Sequence, residues 1–244
     1  MGHSPKKWKV LLVHPSALMY SEVYLRLEPL GLELVAEACR RSGFEVRLLD
    51  LQASTHKDYF RTIEQWRPDA LGFSLNYLAN VPEVIDLAKA TRERWPEKFV
   101  FAGGHSASFV AREILEHGAG AIDCVVKGEG EGIAPRLLEA ARDDCKSLDK
   151  LPGVVTFEGE GPLPEMVDSL DELSPARDLL ANRRKYFIGV LDPGGFDRVH
   201  PRVSVGLCIL QCVDVLWKEL PVAERGSIGG RPGPGARTRR VYRR

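Results

Sequence analysis

The sequence predicts an α/β fold, a flavodoxin-like (Rossmann-like) doubly wound sheet of five parallel strands with helices on both faces. Short apolar runs alternate with stretches of helical periodicity, which is the pattern of successive βαβ units. Turn residues such as Gly43 and Pro68 separate these segments, and residues of both types favour the end of a helix. The alternation continues to about residue 143 and therefore indicates a parallel sheet.

The predicted elements follow one another in regular order. Runs rich in Val, Leu, Ile and Phe predict strands at 9–14, 45–50, 70–74, 99–102 and 122–126. Apolar residues three and four positions apart predict helices at 30–41, 57–66, 82–95, 109–117 and 133–143. Beyond them we expect a small β-hairpin at 153–161, a Pro-bearing linker at 163–175 and a short helix at 176–180.

The character of the sequence changes at Pro193-Gly194. We therefore expect three parts: an α/β domain over 8–145, a hairpin and linker over 146–193, and a tail over 194–244. The tail carries ten Lys and Arg residues against four Asp and Glu residues, and it becomes rich in Gly, Pro and Arg towards its end. This composition predicts a disordered or irregular segment.

The tail also has a second reading. Back-translated with a free choice of synonymous codons and read one nucleotide over, part of it gives Arg-Gly-Cys-Pro-Trp-Asp-Cys-Ala-Phe-Cys. This peptide contains Cys-x3-Cys-x2-Cys, the thiolate triplet that holds the iron–sulfur cluster of radical S-adenosylmethionine (SAM) enzymes. We hypothesise that one extra G at Gly194-Gly195 shifts the frame, and a natural disordered extension is the alternative. As translated, the triplet is absent, because Val215 stands where a third cysteine would follow Cys208 and Cys212.

Composition and charge exclude several classes of function. Lys plus Arg and Asp plus Glu both number 34, so the chain has no overall electrostatic footprint for nucleic acid. The N-terminus does not resemble a signal peptide, and no apolar run approaches the roughly 20 residues of a membrane span. Cys39, Cys124 and Cys145 lie in helix-like or strand-like sequence, which predicts buried or free thiols. We expect a cytoplasmic protein without a nucleic-acid partner.

A ligand of a doubly wound sheet binds at the carboxyl ends of its strands. His14 ends the first predicted strand, and Ser74 ends the third with a small hydroxyl group. Gly103 and Gly104 end the fourth strand, where two glycines allow a ligand to approach the backbone closely. The sequence therefore predicts a ligand-binding crevice between these loops.

The spacing of these loops resembles the cobalamin-binding domain of B12-dependent enzymes, whose pattern is Asp-x-His-x-x-Gly, then Ser-x-Leu, then Gly-Gly. In this sequence Arg26 and Glu28 stand at the aspartate and histidine positions, and only Gly31 survives. The leucine of Ser-x-Leu is Asn76. The histidine that would bind cobalt from below is thus missing, a departure typical of the B12-binding domains of radical SAM enzymes.

Further motifs resemble that superfamily over about residues 8–193. Pro29–Leu32 and Gly128–Glu131 recur in its B12-binding domains. The motifs most similar to hopanoid C-3 methylases are His14–Ser16, Gly72–Tyr77, Gly103–Ser106 and Pro175–Asp178. With this resemblance, the predicted cobalamin-binding residues are His14, Pro15, Ser16, Gly31, Ser74, Leu75, Asn76, Gly103, Gly104, His105, Gly128, Glu129 and Gly130.

The resemblance implies that full-length members are methyltransferases. In them a 4Fe–4S cluster cleaves SAM to a radical, cobalamin delivers the methyl group, and the substrate is a membrane lipid. This chain lacks the thiolate triplet in frame, so we expect neither the cluster nor SAM here, no catalytic residue or metal ligand, and no methyl transfer by this chain alone.

One other interpretation of the same residues stays open, and two others are rejected. A flavodoxin-like module that holds another small cofactor without catalysis is the alternative function. A response-regulator receiver would need acidic residues where His14 and Ser74 stand, and a dinucleotide-binding fold would need Gly-x-Gly-x-x-Gly after the first strand. Glu28 is predicted to be a solvated carboxylate at a helix start, and His56 to be a surface side chain.

Overall fold

The structure, a computed structural model, describes residues 7–18, 25–143, 147–165, 174–181 and 183–188. The tail over 194–244, which includes Cys208 and Cys212, lies outside the described residues, and so does Cys145. The expectations for the tail therefore stay predictions. Within the described part of the chain, no helix is long and apolar enough to cross a membrane.

Eight strands form two sheets in the described residues. In chain order the strands are β1 (Lys9–His14), β2 (Leu25–Arg26), β3 (Glu45–Asp50), β4 (Ala70–Ser74), β5 (Phe99–Gly103), β6 (Cys124–Val126), β7 (Val154–Val155) and β8 (Phe187–Ile188). The main sheet has the order β3-β1-β4-β5-β6-β7, and its first five strands are parallel. β7 pairs antiparallel with β6, and β2 pairs antiparallel with β8.

In the described residues five α-helices lie between the strands: α1 (Leu30–Arg41), α2 (His56–Trp66), α3 (Val81–Arg94), α4 (Ala111–Gly118) and α5 (Gly130–Arg142). Local chemistry explains several of their ends. Thr55 and Asp58 form a reciprocal capping box at the start of α2, which satisfies two backbone donors of the first turn. Pro82 lies in the first turn of α3, where its missing N–H costs nothing.

The core lies on both faces of the main sheet. Val10 and Leu12 of β1 pack towards α1 and α5, whereas Leu11 and Val13 pack towards α2, α3 and α4. This alternation along one strand is the two-residue period of β structure. The predicted doubly wound α/β fold is therefore confirmed.

The sheet differs from the prediction at one edge. The segment predicted as an independent hairpin supplies β7 as a sixth strand, and Val155 also forms a β-bridge with Glu160. The main sheet is thus mixed rather than purely parallel, because the hairpin satisfies the hydrogen-bonding edge of β6.

Candidate functional site

The strand order places a crevice at the carboxyl edge of the sheet. From β1 the chain passes to β3 on one side and then crosses to β4 on the other, so the loops after β1 and β4 diverge. Such a switch point is where open α/β sheets bind ligands. His14 pairs in register with Asp50, and Ser74 pairs with Gly103, so the predicted strand-end residues lie along one edge.

The loops after β4 and β5 interlock through their backbones. Leu75 N–H donates to Gly103 O at 2.7 Å, and Ser106 N–H donates to Leu75 O at 3.0 Å. Gly104 has a φ of 107°, and a Cβ there would lie 2.9 Å from Leu75 O. Glycine is therefore required at this position by both backbone conformation and space. The Ser106 hydroxyl donates to Asn76 O at 2.8 Å and completes this rigid unit.

Two predicted site residues, Ser74 and Gly31, have room or hydrogen-bonding groups that the described residues do not use. Ser74 is 8% exposed, and no described residue engages its hydroxyl group. A Cβ at Gly31 would meet nothing within 4 Å, so no packing contact requires glycine there. A polar hydroxyl at a strand end and an open glycine at the start of α1 fit a ligand that brings its own hydrogen-bonding groups.

The side chain of His105 contacts an aromatic ring. Its ring packs edge-on against Phe109, with centroids 5.2 Å apart, and both side chains are exposed. Tyr77 and Leu78 are also exposed, in the loop that follows β4. The loops after β4 and β5 therefore carry several exposed apolar side chains.

The glycines after β6 are explained by packing. Gly128 has a φ of 80°, and a Cβ there would lie 2.7 Å from Pro164 Cβ. A Cβ at Gly130 would lie 2.9 Å from Val35 Cγ2 of α1. α5 begins at Gly130, three residues before the predicted start of this helix. Glu129 is the N-cap of α5 and lines a cavity of about 70 Å³. A cofactor-binding role for these three residues stays a prediction.

A buried polar network surrounds His14. Its Nδ1 lies 3.0 Å from Pro15 O and 3.5 Å from Asp50 Oδ1. Asp50 is buried and accepts hydrogen bonds from the Gln52 backbone N–H at 2.8 Å and from the Tyr186 hydroxyl at 2.7 Å. The known contacts of the imidazole therefore use Nδ1, and they tie the end of β1 to the end of β3.

A second network holds the loop after β1 from the other side. The Ser16 N–H donates to Glu83 Oε2 at 3.0 Å, and the Ser16 hydroxyl donates to Glu83 Oε1. Asn80 Nδ2 donates to Ser16 O at 3.1 Å, and His56 Nε2 lies 2.7 Å from Glu83 Oε1. Burial would raise the pKa of Glu83, but the hydrogen bonds from Ser16, His56 and Asn80 outweigh it and lower the pKa.

Sequence reasoning missed this Glu83 network. Glu83 resembles any acidic residue in the first turn of a helix, and Ser16 lies 67 residues away in the chain. His56 is exposed, as predicted, but it has a specific partner in Glu83. The donor groups of Ser16 are satisfied within the protein, so this residue offers a ligand only acceptor lone pairs.

The prediction that Glu28 is a solvated carboxylate is wrong. Its side chain is largely buried, and Arg183 Nε donates to it at 2.8 Å while Arg177 Nε lies 3.9 Å away. Both arginines come from a part of the chain about 150 residues further on. The tertiary fold therefore converts an apparent surface charge into an ion pair at the family's histidine position.

Glu33 of α1 is the most unusual carboxylate in the molecule's described part. It is fully buried, and neither of its carboxylate oxygens has a hydrogen-bond partner. Burial, followed by the negative charge of Glu28, raises the pKa of Glu33 from 4.5 to about 7 against the opposing charge of Arg177. The described residues contain no group of three or more His, Cys, Asp or Glu side chains that could hold a metal ion.

Comparisons with known proteins agree with these features. The B12 binding domain family matches residues 17–138. Hopanoid C-3 methylase from Methylococcus capsulatus is 62% identical over 186 residues, which are 76% of this chain and 36% of that protein. Cytidylyl-2-hydroxyethylphosphonate methyltransferase from Streptomyces wedmorensis is 27% identical over 143 residues, 50% of this chain and 26% of that protein. The chain thus spans about a third or less of either relative.

A solved structure has the same architecture. The cobalamin-dependent S-adenosylmethionine radical enzyme OxsB, with aqua-cobalamin and S-adenosylmethionine bound, superposes with a TM-score of 0.60 at 22% identity. The match covers 71% of this chain and 25% of OxsB. At this identity the likeness shows a shared fold.

Proposed function

The chain belongs to the B12-binding domain family, and on that premise we propose that it holds cobalamin in the crevice at the carboxyl ends of β1, β4 and β5. The cofactor predicted from the motifs is therefore confirmed at the level of the family, in preference to another small cofactor. The site residues are proposals. The observation that carries them is the alignment of His14, Ser74 and Gly103 along one edge at the switch point of the sheet.

Several residues are suited to hold the cofactor. Ser74 offers a hydroxyl that no described residue engages, and the hydrogen-bonded backbones of Leu75 and Gly103 supply a rigid wall beside it. Gly31 leaves open space at the start of α1. When bound, cobalamin supplies a cobalt centre that can carry a methyl group, and the role of the protein residues is to bind and orient it.

The residue at position 28 decides whether this loop could supply a ligand to the cobalt of a bound cobalamin. Glu28 stands where the family pattern has histidine, and its carboxylate is paired with Arg183 at 2.8 Å. A carboxylate engaged in this way does not replace an imidazole as a ligand, because imidazole and carboxylate differ in softness and charge. We therefore propose that the chain binds cobalamin without a protein ligand from this loop.

The catalytic context is a further proposal. The two curated relatives are named as a methylase and a methyltransferase, so we propose that this chain corresponds to the cobalamin-binding part of a methyl-transferring enzyme. The 62% identity to hopanoid C-3 methylase favours a hopanoid as the substrate of that whole enzyme. The chain alone should not methylate a hopanoid when supplied with iron, sulfide, SAM and cobalamin.

Titration of the purified full chain with hydroxocobalamin tests the binding proposal. We expect a saturable absorbance change, and a spectrum of cobalamin without a nitrogen ligand on this side would support the argument from Glu28. Ser74→Ala should weaken binding about tenfold, the worth of one hydrogen bond of about 1.4 kcal/mol. Ser42→Ala is the matched control, because Ser42 follows α1 at the opposite edge of the sheet. No spectral change at high micromolar protein would exclude the proposed function.

The three-part division of the chain into residues 8–145, 146–193 and 194–244 also remains a proposal.

The frameshift hypothesis for residues 194–244 is tested by sequencing the gene across Pro193–Gly195. A G-run without a surplus base, or codons that do not encode the cysteine triplet in the shifted frame, would refute it. Cytoplasmic location and the lack of a nucleic-acid partner likewise stay predictions of the sequence.

A further inference from the structure

The segment formed by residues 174–181 and 183–188 lies beyond the part of the chain that the family matches, yet it contacts the crevice. We call it the C-terminal segment. Ala176 N–H donates to the backbone oxygen of Glu33 at 3.2 Å, and Lys185 Nζ donates to Ala53 O at 2.6 Å. Its last strand, β8, pairs with β2 just before α1. These contacts place the segment across the start of α1 and the end of β3.

Tyr186 is the residue of this segment whose side chain hydrogen-bonds to the end of β3. It is buried, and its hydroxyl donates to Asp50 Oδ2 at 2.7 Å. Burial and then the Asp50 carboxylate raise the pKa of Tyr186 far above its usual range. The phenol therefore stays protonated at neutral pH and is the donor of the hydrogen bond to Asp50.

Asp50 also contacts His14 and so connects it to Tyr186. Asp50 Oδ1 lies 3.5 Å from His14 Nδ1, and the same ring nitrogen lies 3.0 Å from Pro15 O. Both oxygens are acceptors, so they favour the tautomer with the proton on Nδ1. The Gln52 side-chain amide lies 3.4 Å from Nδ1 but has two closer oxygen acceptors, Leu27 O and Asp50 Oδ2, both at 3.3 Å. Nε2 is then left unprotonated for a ligand.

We propose that Tyr186 is a positioning residue of the cobalamin crevice, which orients His14 through Asp50, so that the functional B12-binding unit extends to residue 188. This inference rests on the proposed function. It assigns a role in cofactor binding to a stretch that the sequence predicted to be linker. In metal sites, loss of the group that orients a metal-binding histidine typically costs about 10–100-fold in affinity, and we use the lower end of that range as the scale for this contact.

The test compares two tyrosines of the full chain. In Tyr186→Phe we expect cobalamin affinity, measured by absorbance titration, to fall about tenfold. Imidazole nitrogen NMR signals of the cofactor-free protein should show a larger fraction of the His14 tautomer with the proton on Nε2. Tyr59→Phe is the matched control, because Tyr59 is equally buried and its hydroxyl lies 2.6 Å from Thr91 Oγ1 in the core. It should lose similar stability and change neither readout.

Asp50→Asn provides a second route if Tyr186→Phe fails to fold, and it should shift the same two readouts in the same direction. The inference is overturned if a folded Tyr186→Phe or Asp50→Asn chain binds cobalamin like the wild type and keeps the wild-type His14 signals. It is also overturned if Tyr59→Phe reproduces both changes. If the wild type itself does not bind hydroxocobalamin, the proposed function fails, whereas the NMR comparison still decides whether Tyr186 orients His14.

Discussion

The two halves of the crevice are held by different forces. We call the loops after β4 and β5 the glycine half and the loop after β1 the polar half. In the glycine half, Gly104 fits because the backbone of Leu75 fills the space where a Cβ would lie. In the polar half, His14 and Ser16 are held by hydrogen bonds and charges from Asp50 and Glu83.

The difference predicts different sensitivities. Steric contact between backbones does not depend on pH, but it tolerates no added atom, because buried space at this density cannot absorb one. A network of carboxylates and hydroxyls tolerates a change of side chain at moderate cost, but it depends on protonation. Substitutions in the glycine half should therefore lower the stability of the fold. Substitutions in the polar half should instead lower ligand affinity or change how stability depends on pH.

The largest effect is expected in the glycine half. Gly104→Ala should lower the free energy of unfolding by about 3 kcal/mol, because it adds a left-handed backbone cost to an overpacked contact. Urea unfolding followed by circular dichroism measures the change. Gly120→Ala is the matched control, since Gly120 has a φ of 84° but open space around it, and it should lose only about 1–2 kcal/mol. Equal losses would mean that the Leu75 contact is unimportant.

The next largest effect is expected at Glu33. Its contribution to stability falls as the pH rises, which is opposite to the behaviour of most carboxylates. Because its pKa rises from 4.5 to about 7 on folding, the folded state binds a proton that the unfolded state releases between those pH values. The stability that this proton supports is complete below about pH 4.5 and is lost as the pH rises through 7. At about 1.4 kcal/mol per pKa unit, the cost above pH 7 is about 3 kcal/mol.

Glu33→Gln should therefore stabilise the protein by about 2–3 kcal/mol at pH 8 and by much less at pH 5. Urea unfolding at both pH values measures the slope. Glu37→Gln in the same helix is the control. Burial would raise the pKa of Glu37, but hydrogen bonds from Arg40 and Arg41 outweigh it and lower the pKa. That variant should lose stability above about pH 4.5. A Glu33→Gln protein with the wild-type pH slope would refute the prediction.

Loss of Glu83 should lower stability less than the Gly104 substitution does. It should also release the loop after β1, because Glu83 accepts the hydrogen bonds of Ser16. Glu83→Ala leaves the Ser16 N–H without its acceptor and should cost about 1–3 kcal/mol at pH 7. Since the pKa of Glu83 is lowered, its contribution is present above about pH 4.5 and disappears as the pH falls below that value. The difference between wild type and variant should thus shrink in acid, as measured by urea unfolding at pH 7 and pH 4.

The control for Glu83 is Glu113→Ala. Glu113 is also an acidic residue in the first turn of a helix, α4, but it is exposed and holds no loop of the crevice. It shares the favourable interaction with the helix dipole, so it isolates the contribution of the Ser16 contacts. If both variants lose the same stability and retain the same cobalamin affinity, Glu83 is an ordinary helix-start carboxylate.

The smallest effect is expected at the rim of the C-terminal segment. Arg40 Nη1 lies 2.6 Å from Asp178 Oδ2, but the Asp178 side chain is 63% exposed. Exposed ion pairs contribute less than about 1 kcal/mol and are screened by salt. Asp178→Ala should therefore leave stability and cobalamin affinity almost unchanged in thermal unfolding and absorbance titration. A loss of several kcal/mol would show that the rim, rather than buried Tyr186, attaches this segment.

Much of the fold could be predicted from the sequence because the signals are local. β3 and β4 have the predicted bounds, and so does α1, since alternation and helical periodicity act within a few residues. The start of α5 could not be predicted, because glycines at 130 and 132 disfavour a helix until Gly130 packs against Val35. β7 and β8 have two residues each and exist only through their partners.

The candidate site divides in the same way. Ser74 and Gly103 could be placed side by side, because parallel strands put their carboxyl ends at one edge. Glu83 and Tyr186 could not be found, because each meets its partner across a long stretch of chain, 67 residues for Ser16 and 136 for Asp50. No local pattern marks a glutamate or a tyrosine for such a contact.

By itself, then, the sequence determined the order of strands and helices, the loops that can bind a ligand, and the resemblance to cobalamin-binding domains. Only the tertiary structure decided that Glu28 is paired with arginine, that Glu33 is buried without a hydrogen-bond partner, and that Tyr186 reaches Asp50. The physical reason is range. Periodicity and turn chemistry act over a few residues, whereas burial, charge pairing and the protonation they impose depend on groups that only the folded chain brings together.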